Sequence, residues 1–194
     1  MGSLTLPLVL EMRGVHLTDE QFYQLCLSNP EIPLERDAQG ALIVMAPVGG
    51  EGGNLEMEFG ADIVFWNRRT QLGKVFSSST LFRLPNGADR SPDAAWIEQS
   101  RWLALPPEQR KKFPPIAPDF VMELRSPTDP LELLRTKMQE YMDSGVRLGW
   151  LFNPQDQQVE IYRLGSAPEI RQLPAELSGE SVLPGFLFTV ERFD

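Results

Sequence analysis

The side chains able to do chemistry in this 194-residue chain narrow quickly to a few carboxylates and a lysine. There is one histidine, His16, and one cysteine, Cys26. That excludes a two-histidine metal centre, an internal disulfide framework and a multi-cysteine zinc site. No Gly-x-Ser-x-Gly elbow exists, so a Ser-His-Asp triad has no frame. Cys26 falls on an apolar helical stripe with Phe22 and Leu25, the setting of a core thiol rather than a nucleophile. What remains is Asp93, entering a strand after Ser91-Pro92, and Glu123, inside the apolar run Phe120-Val121-Met122-Glu123-Leu124. A carboxylate among such neighbours is expensive to bury unpaired, so Glu123 needs a metal, a lysine or an arginine. Lys137, Tyr141 and Ser144 share a helical face at i, i+4, i+7 spacing. On spacing alone two readings stand: a carboxylate site for a divalent cation, or a structural pairing of Glu123 with Arg125 or Lys137.

The elements that must position these residues are legible from punctuation and periodicity. Thr18 and Gln21 form a capping box for a helix through Leu27, stopped by Asn29-Pro30. Leu34-Glu35-Arg36 and Ala41 to Met45 flank a turn with Gly40, the pattern of a β-hairpin. A glycine-rich turn, Gly49 to Gly53, leads into a helix from about Asn54 to Arg69 with Leu55, Phe59, Ile63 and Trp66 on its apolar face. That turn lacks the Gly-Lys-Ser/Thr ending of a phosphate loop. Strands are expected at Lys74 to Phe76, Thr80 to Leu84 and Asp93 to Glu98, with a turn at Pro85-Asn86-Gly87 between the last two. Residues 101–118 read as an exposed excursion. Asp119 to Leu124 has the near-continuous apolar pattern of a strand buried on both faces. A helix to about Asp143, Gly145 at its C-terminus and a strand from Arg147 to Phe152 complete a βαβ crossover. Val159 to Arg163 pairs back, and short strands follow around Leu183 to Phe186. The whole predicts one α/β domain: an N-terminal helix and hairpin over about 8–48, a core over about 50–165, and terminal strands over about 168–194.

Composition bounds the setting. With 27 acidic and 18 basic side chains the formal net charge is −9, opposite to the basic excess of proteins that coat nucleic acid. Nucleic-acid contact must then rest on a local basic surface or on metal ions. Arg68-Arg69, Arg110-Lys111-Lys112 and Arg135 are the local basic groups, and short runs of this kind are usually solvated faces. Trp66, Trp96, Trp102 and Trp150 sit mostly in apolar patterns and read as core. No apolar run is long enough to span a bilayer, and Met1-Gly2-Ser3-Leu4 lacks the features of a secretory signal, so a cytoplasmic location without membrane partners is expected.

Several blocks carry a resemblance. Ser91-Pro92-Asp93-Ala94-Ala95-Trp96, the stretch Pro118 to Asp129, Lys137-Met138-Gln139-Glu140-Tyr141 and Gly145 to Leu151 resemble the Uma2 family (DUF820). That family is regarded as restriction-endonuclease-like, within the PD-(D/E)xK nuclease superfamily. The resemblance implies a mixed central sheet flanked by helices and an endonuclease hydrolysing DNA phosphodiester bonds with Mg²⁺, or Mn²⁺ in its place. Carried over, Asp93 and Glu123 are the metal-binding acids. The superfamily's lysine position holds Arg125, so the catalytic lysine is assigned to the following helix, at Lys137. Glu51, at the mouth of the long helix, matches an accessory acid, with Glu56 as competitor; Arg125 and Tyr141 are further accessory candidates. Arginine stays protonated and suits a phosphate clamp or a salt bridge, not a base. Restriction-type enzymes favour dimers, and Phe186-Leu187-Phe188 is either such an interface or a seal on the monomer's own core. The rival reading is a non-catalytic interaction module that keeps the fold.

Overall fold

The Thr18 capping box forms: the Gln21 N–H donates to the Thr18 hydroxyl at 3.2 Å, and the Gln21 side-chain oxygen accepts from the Thr18 N–H at 2.9 Å. It starts α1 (Asp19–Ser28), after a short strand β1 (Leu8–Leu10). The computed structural model describes residues 6–193; residues 1–5, read above for a secretory signal, and Asp194 lie outside them. The expected hairpin is β2 (Leu34–Arg36) and β3 (Leu42–Val44), its turn using Gly40 at φ 91°. The long helix α2 (Gly50–Thr70) differs from expectation, because it takes in the glycines read as a turn. A Cβ on Gly52 would meet Val48 at 2.9 Å and Leu124 at 3.4 Å, so the absent side chain lets this helical turn approach its neighbours. The buried face of Phe59, Ile63 and Trp66 offsets the poor helix propensity of glycine.

Next come β4 (Gly73–Ser77), β5 (Phe82–Arg83), β6 (Asp89–Arg90) and β7 (Ala94–Glu98). The Pro85-Asn86-Gly87 turn joins β5 to β6, a two-residue strand that no periodicity could reveal. The excursion holds α3 (Gln99–Ala104) and α4 (Pro107–Arg110). Then β8 (Phe120–Leu124), α5 (Leu131–Asp143) and β9 (Leu148–Asn153) make the crossover, with β8 and β9 parallel. The chain finishes with β10 (Gln158–Arg163), β11 (Glu169–Gln172), β12 (Ala175–Ser178) and β13 (Leu187–Val190). Leu183 to Phe186, expected within short strands, instead lies between β12 and β13, where Gly185 at φ 73° breaks the extended path.

The central sheet runs β11-β10-β9-β8-β7-β4, antiparallel except for the β8–β9 pair. A second sheet, β1-β3-β2-β6-β5, and the β12-β13 ribbon complete the fold. This is the mixed sheet with flanking helices that the sequence implied. Strand alternation decides which side chain meets which helix. Phe120, Met122 and Leu124 face one core with Phe59, Trp66 and Trp150. Val121 faces the other, with Met138 and Tyr141 of α5. Glu123 shares the parity of Val121, and is therefore delivered to α5.

The tail seals the monomer's core. Phe186 and Phe188 are buried, with ring centroids 6.0 and 5.1 Å from Phe59, which also packs on Phe120 and Trp150. These two rings are thus not free for a dimer interface. Phe59→Ala should cost about 3–5 kcal/mol of folding stability, read from denaturant unfolding, because its cavity opens among rigid rings.

Candidate active site

Register brings the two strand acids together. In the antiparallel β7–β8 pair Ala94 stands opposite Met122, which puts Asp93, one residue before β7, opposite Glu123. The Asp93 Oδ2 accepts the Leu124 N–H at 2.7 Å, fixing the carboxylate against the end of β8. From α5 the Lys137 ammonium lies 2.8 Å from Glu123 Oε1, and the Tyr141 hydroxyl donates to the same oxygen at 2.9 Å. The i, i+4 pair read from the helix thus closes on one carboxylate oxygen. Ser144, the third member of that face, caps the helix end instead.

A fourth group completes the constellation, and no sequence motif announced it. Glu35 of β2 places Oε1 2.9 Å from the Lys137 ammonium and accepts the Ser91 N–H at 2.9 Å. Its Oε2 takes the Arg90 guanidinium at 3.1 Å, and Arg90 also donates to Glu140 at 2.5 Å. Charges therefore alternate from cleft to surface: Glu123, Lys137, Glu35, Arg90, Glu140. Lys137 is 7% exposed and Glu123 only 3%. The ammonium is charge-balanced, yet neither carboxylate meets it in aligned hydrogen-bond geometry among the described residues. Its nitrogen is sealed from solvent behind Glu123 and Glu35.

Burial and these neighbours set the protonation. Burial pushes the Glu123 carboxyl up; Lys137 pulls it back, Asp93 and Glu35 repel it, and the balance is about 8. Burial and then the charge of Glu56 push Asp93 up to about 7, against the pull of Lys137 and the Leu124 N–H. Glu35 is desolvated too, but Lys137 and Arg90 outweigh this and hold it below the usual carboxylate range. Burial opposes the charge of Lys137, while Glu123 and Glu35 hold its pKa above the ordinary lysine value. Glu56 is raised by burial and by Glu123.

Asp93, Glu123, Glu35, Glu51 and Glu56 all line one open cleft of about 1310 Å³. Between Glu51 and Glu56, Glu56 is the one whose charge acts on Asp93 and Glu123, and Glu51 sits exposed at the helix start. Arg125 borders the cleft but is engaged: it donates to the Asp129 carbonyl and Asn153 at 3.1 Å and pairs with Asp156 at 3.5 Å. Of the basic groups, Lys111 pairs with Glu108, Lys112 with Glu20, and Arg135 with Glu132 and Glu160. Cys26 is half-buried at the cleft rim with its thiol pushed up to about 11, chiefly by burial, so it is no thiolate. His16 is exposed and apart from the site.

Among the described residues no three His, Cys, Asp or Glu side chains stand together at metal-holding spacing. The donor set still suits a hard divalent ion, which commonly uses one or two carboxylates with waters. Asp93 Oδ1, Glu123 Oε2 and the Glu56 carboxylate carry no hydrogen bond among the described residues, and their mutual repulsion is what a cation relieves.

A raised carboxyl binds its proton more tightly in the fold than in the unfolded chain, so its stabilisation is present in acid and is lost as pH rises toward 8. Glu35, held low, and Lys137, held high, titrate outside this window. In chelator-treated protein the wild type should therefore lose about 2 kcal/mol more stability than Glu123→Gln between about pH 5 and pH 8, measured as thermal melting against pH.

The sequence matches the Uma2 family, described as "Putative restriction endonuclease", over residues 19–191. A solved structure described as a "putative nuclease belonging to DUF820" from Anabaena variabilis ATCC 29413 superposes with a TM-score of 0.75 at 20% identity, covering 89% of this chain and 94% of that one. At that identity the shared feature is the fold. No protein of curated function matches the chain.

Proposed function

The chain belongs to the Uma2 family, and from there we propose that it is a metal-dependent nuclease hydrolysing DNA phosphodiester bonds. Asp93 and Glu123 hold the metal in this reading, and Lys137 completes the site. The observation that carries it is the register pairing of Asp93 with Glu123 at the wall of an open cleft, backed by a buried ammonium 2.8 Å from Glu123.

Bound Mg²⁺, or Mn²⁺ in its place, would lower the pKa of a coordinated water and offset charge on the phosphoryl oxygens. The protein's own residues supply the rest. Lys137 is not the base, because its two carboxylate neighbours keep it charged well above neutral pH. It acts as a fixed positive charge behind Glu123, whose field favours the charge that the phosphoryl oxygens gain in the transition state. Glu35 and Arg90 hold that ammonium in place; they are positioning residues. Tyr141 orients Glu123 so that its second oxygen faces the cleft. We assign the accessory acid role to Glu56 in preference to Glu51, since Glu56 shares the field of the other two acids. The absence of a membrane-crossing helix among the described residues and the single cysteine suit work in the cytosol.

Cleavage of supercoiled plasmid with Mg²⁺ or Mn²⁺ tests the reading. Glu123→Ala, Asp93→Ala and Lys137→Met should each lower the rate by about a hundredfold or more, and chelation should abolish it. Equal cleavage by wild type and Glu123→Ala would reject the assignment. Inactivity across DNA forms and metals would favour the interaction-module reading, which Arg125 in the superfamily's lysine position supports.

A further inference from the structure

Away from the acids, the C-terminal half of α2 borders a second concavity. Between the helix and the start of β13 lies an open pocket of about 470 Å³, with the buried rings of Trp66 and Phe186 beneath it. The Trp66 indole N–H donates to the Pro184 carbonyl at 3.0 Å, which satisfies its polar edge and holds the ring in place. Phe65 and Leu187 border the pocket and stand open to water, 64% and 56% exposed. Of the aromatic side chains described, Phe65 alone is more exposed than buried. Alternation accounts for Leu187: Phe186 and Phe188 turn inward to Phe59, and the residue between them turns out. This pocket shares no lining residue with the acid cleft.

The charges at its rim say what covers it. Asp62 and Arg69 flank the pocket, and neither has an ion-pair partner among the described residues. An anionic lipid surface or a nucleic acid would call for cations and be repelled by the aspartate. This face instead carries one acid and one base, placed evenly about its apolar centre. Asp62 stands three residues before Phe65, and Arg69 three residues after Trp66. That arrangement fits its own copy, because across a two-fold axis residue i meets j and j meets i.

We propose that this face binds a second copy of the chain, with the two α2 helices antiparallel about a two-fold axis at Phe65 and Trp66. Phe65 then fills the partner's pocket, and Asp62 meets the partner's Arg69 once on each side of the axis. The antiparallel order also sets the two helix dipoles in opposition. An aromatic anchor seated in a pocket and ringed by charges is the anatomy of an interface centre. The pairing uses none of the residues that line the acid cleft, and it holds whatever chemistry the cleft performs.

Sedimentation equilibrium of the full chain at low salt, from about 1 to 100 μM, tests the pairing. The wild type should sediment with the mass of two chains, and added salt should weaken the dimer. Phe65→Ser should raise the dissociation constant about tenfold or more. Asp62→Arg sets two basic groups against each other at each contact, and Arg69→Asp two acidic ones, so each variant alone should also dissociate about tenfold more readily. Mixed in equal amounts, these two variants should recover a heterodimer about as tight as the wild-type dimer, since every acid again faces a base. All three positions are exposed, and circular dichroism checks that each variant keeps the fold. Recovery on mixing is a result that two misfolded chains could not give. A wild type that stays monomeric at the highest concentration, a Phe65→Ser variant that dimerises like wild type, or a mixture no tighter than its components overturns the proposal.

Discussion

The demand that organises this molecule is the removal of a carboxylate, Glu123, from water in the middle of a sheet. An ionised group in that position is affordable only with a partner, and a lone partner would itself be a buried charge in need of compensation. The chain answers with alternation. Lys137 meets Glu123, Glu35 meets Lys137, Arg90 meets Glu35, and Glu140 brings the series to the helix surface. Each ion pair joins a different pair of elements, so β8, α5, β2 and β6 are stitched by charge as well as by packing. Removing one member strands its neighbours, which is why the small second sheet and the large central sheet behave as one support for the cleft.

The series does not balance at its inner end, and that imbalance is the chemical point. Lys137 is shared between two carboxylates, while Asp93 and Glu56 add further negative charge nearby. A second cluster shows what charge balance looks like. On the other side of β2 and β6, Asp89 gives one oxygen to Arg36 at 2.6 Å and the other to Arg83 at 2.9 Å, and both guanidiniums also reach Asp19. Two anions face two cations there, so the formal charges balance. Neighbouring residues alternate between the two clusters: Glu35 and Arg90 serve the cleft, Arg36 and Asp89 the balanced network. Glu35 and Glu123 of the unbalanced cluster line the cleft and none of the four balanced groups does, which is the difference between a candidate site and a brace.

Much of this was legible because it depends on local pattern. The period of two across Phe120 to Leu124 and the i, i+4 spacing of Lys137 and Tyr141 each select a face, and the faces meet. Asp93 was legible because Ser91-Pro92 marks where its strand begins. Glu35 was not, because Leu34-Glu35-Arg36 reads as an ordinary hairpin arm whose polar residues could face water. Only the pairing of β2 with β6, itself two residues long, carries Glu35 inward. The glycines at the start of α2 misled for a related reason: local propensity says turn, and the close approach to Val48 and Leu124 overrides it. That same extension of the helix separates exposed Glu51 from Glu56, which lies deeper toward the acids.

A crystal soaked in Mn²⁺ and measured for anomalous scattering tests the central claim most directly. The account predicts an ion bound by the free oxygens of Asp93 and Glu123, with the Lys137 ammonium still between Glu123 and Glu35. A peak elsewhere on the molecule, or none while Asp93 and Glu123 keep their present contacts, would contradict it.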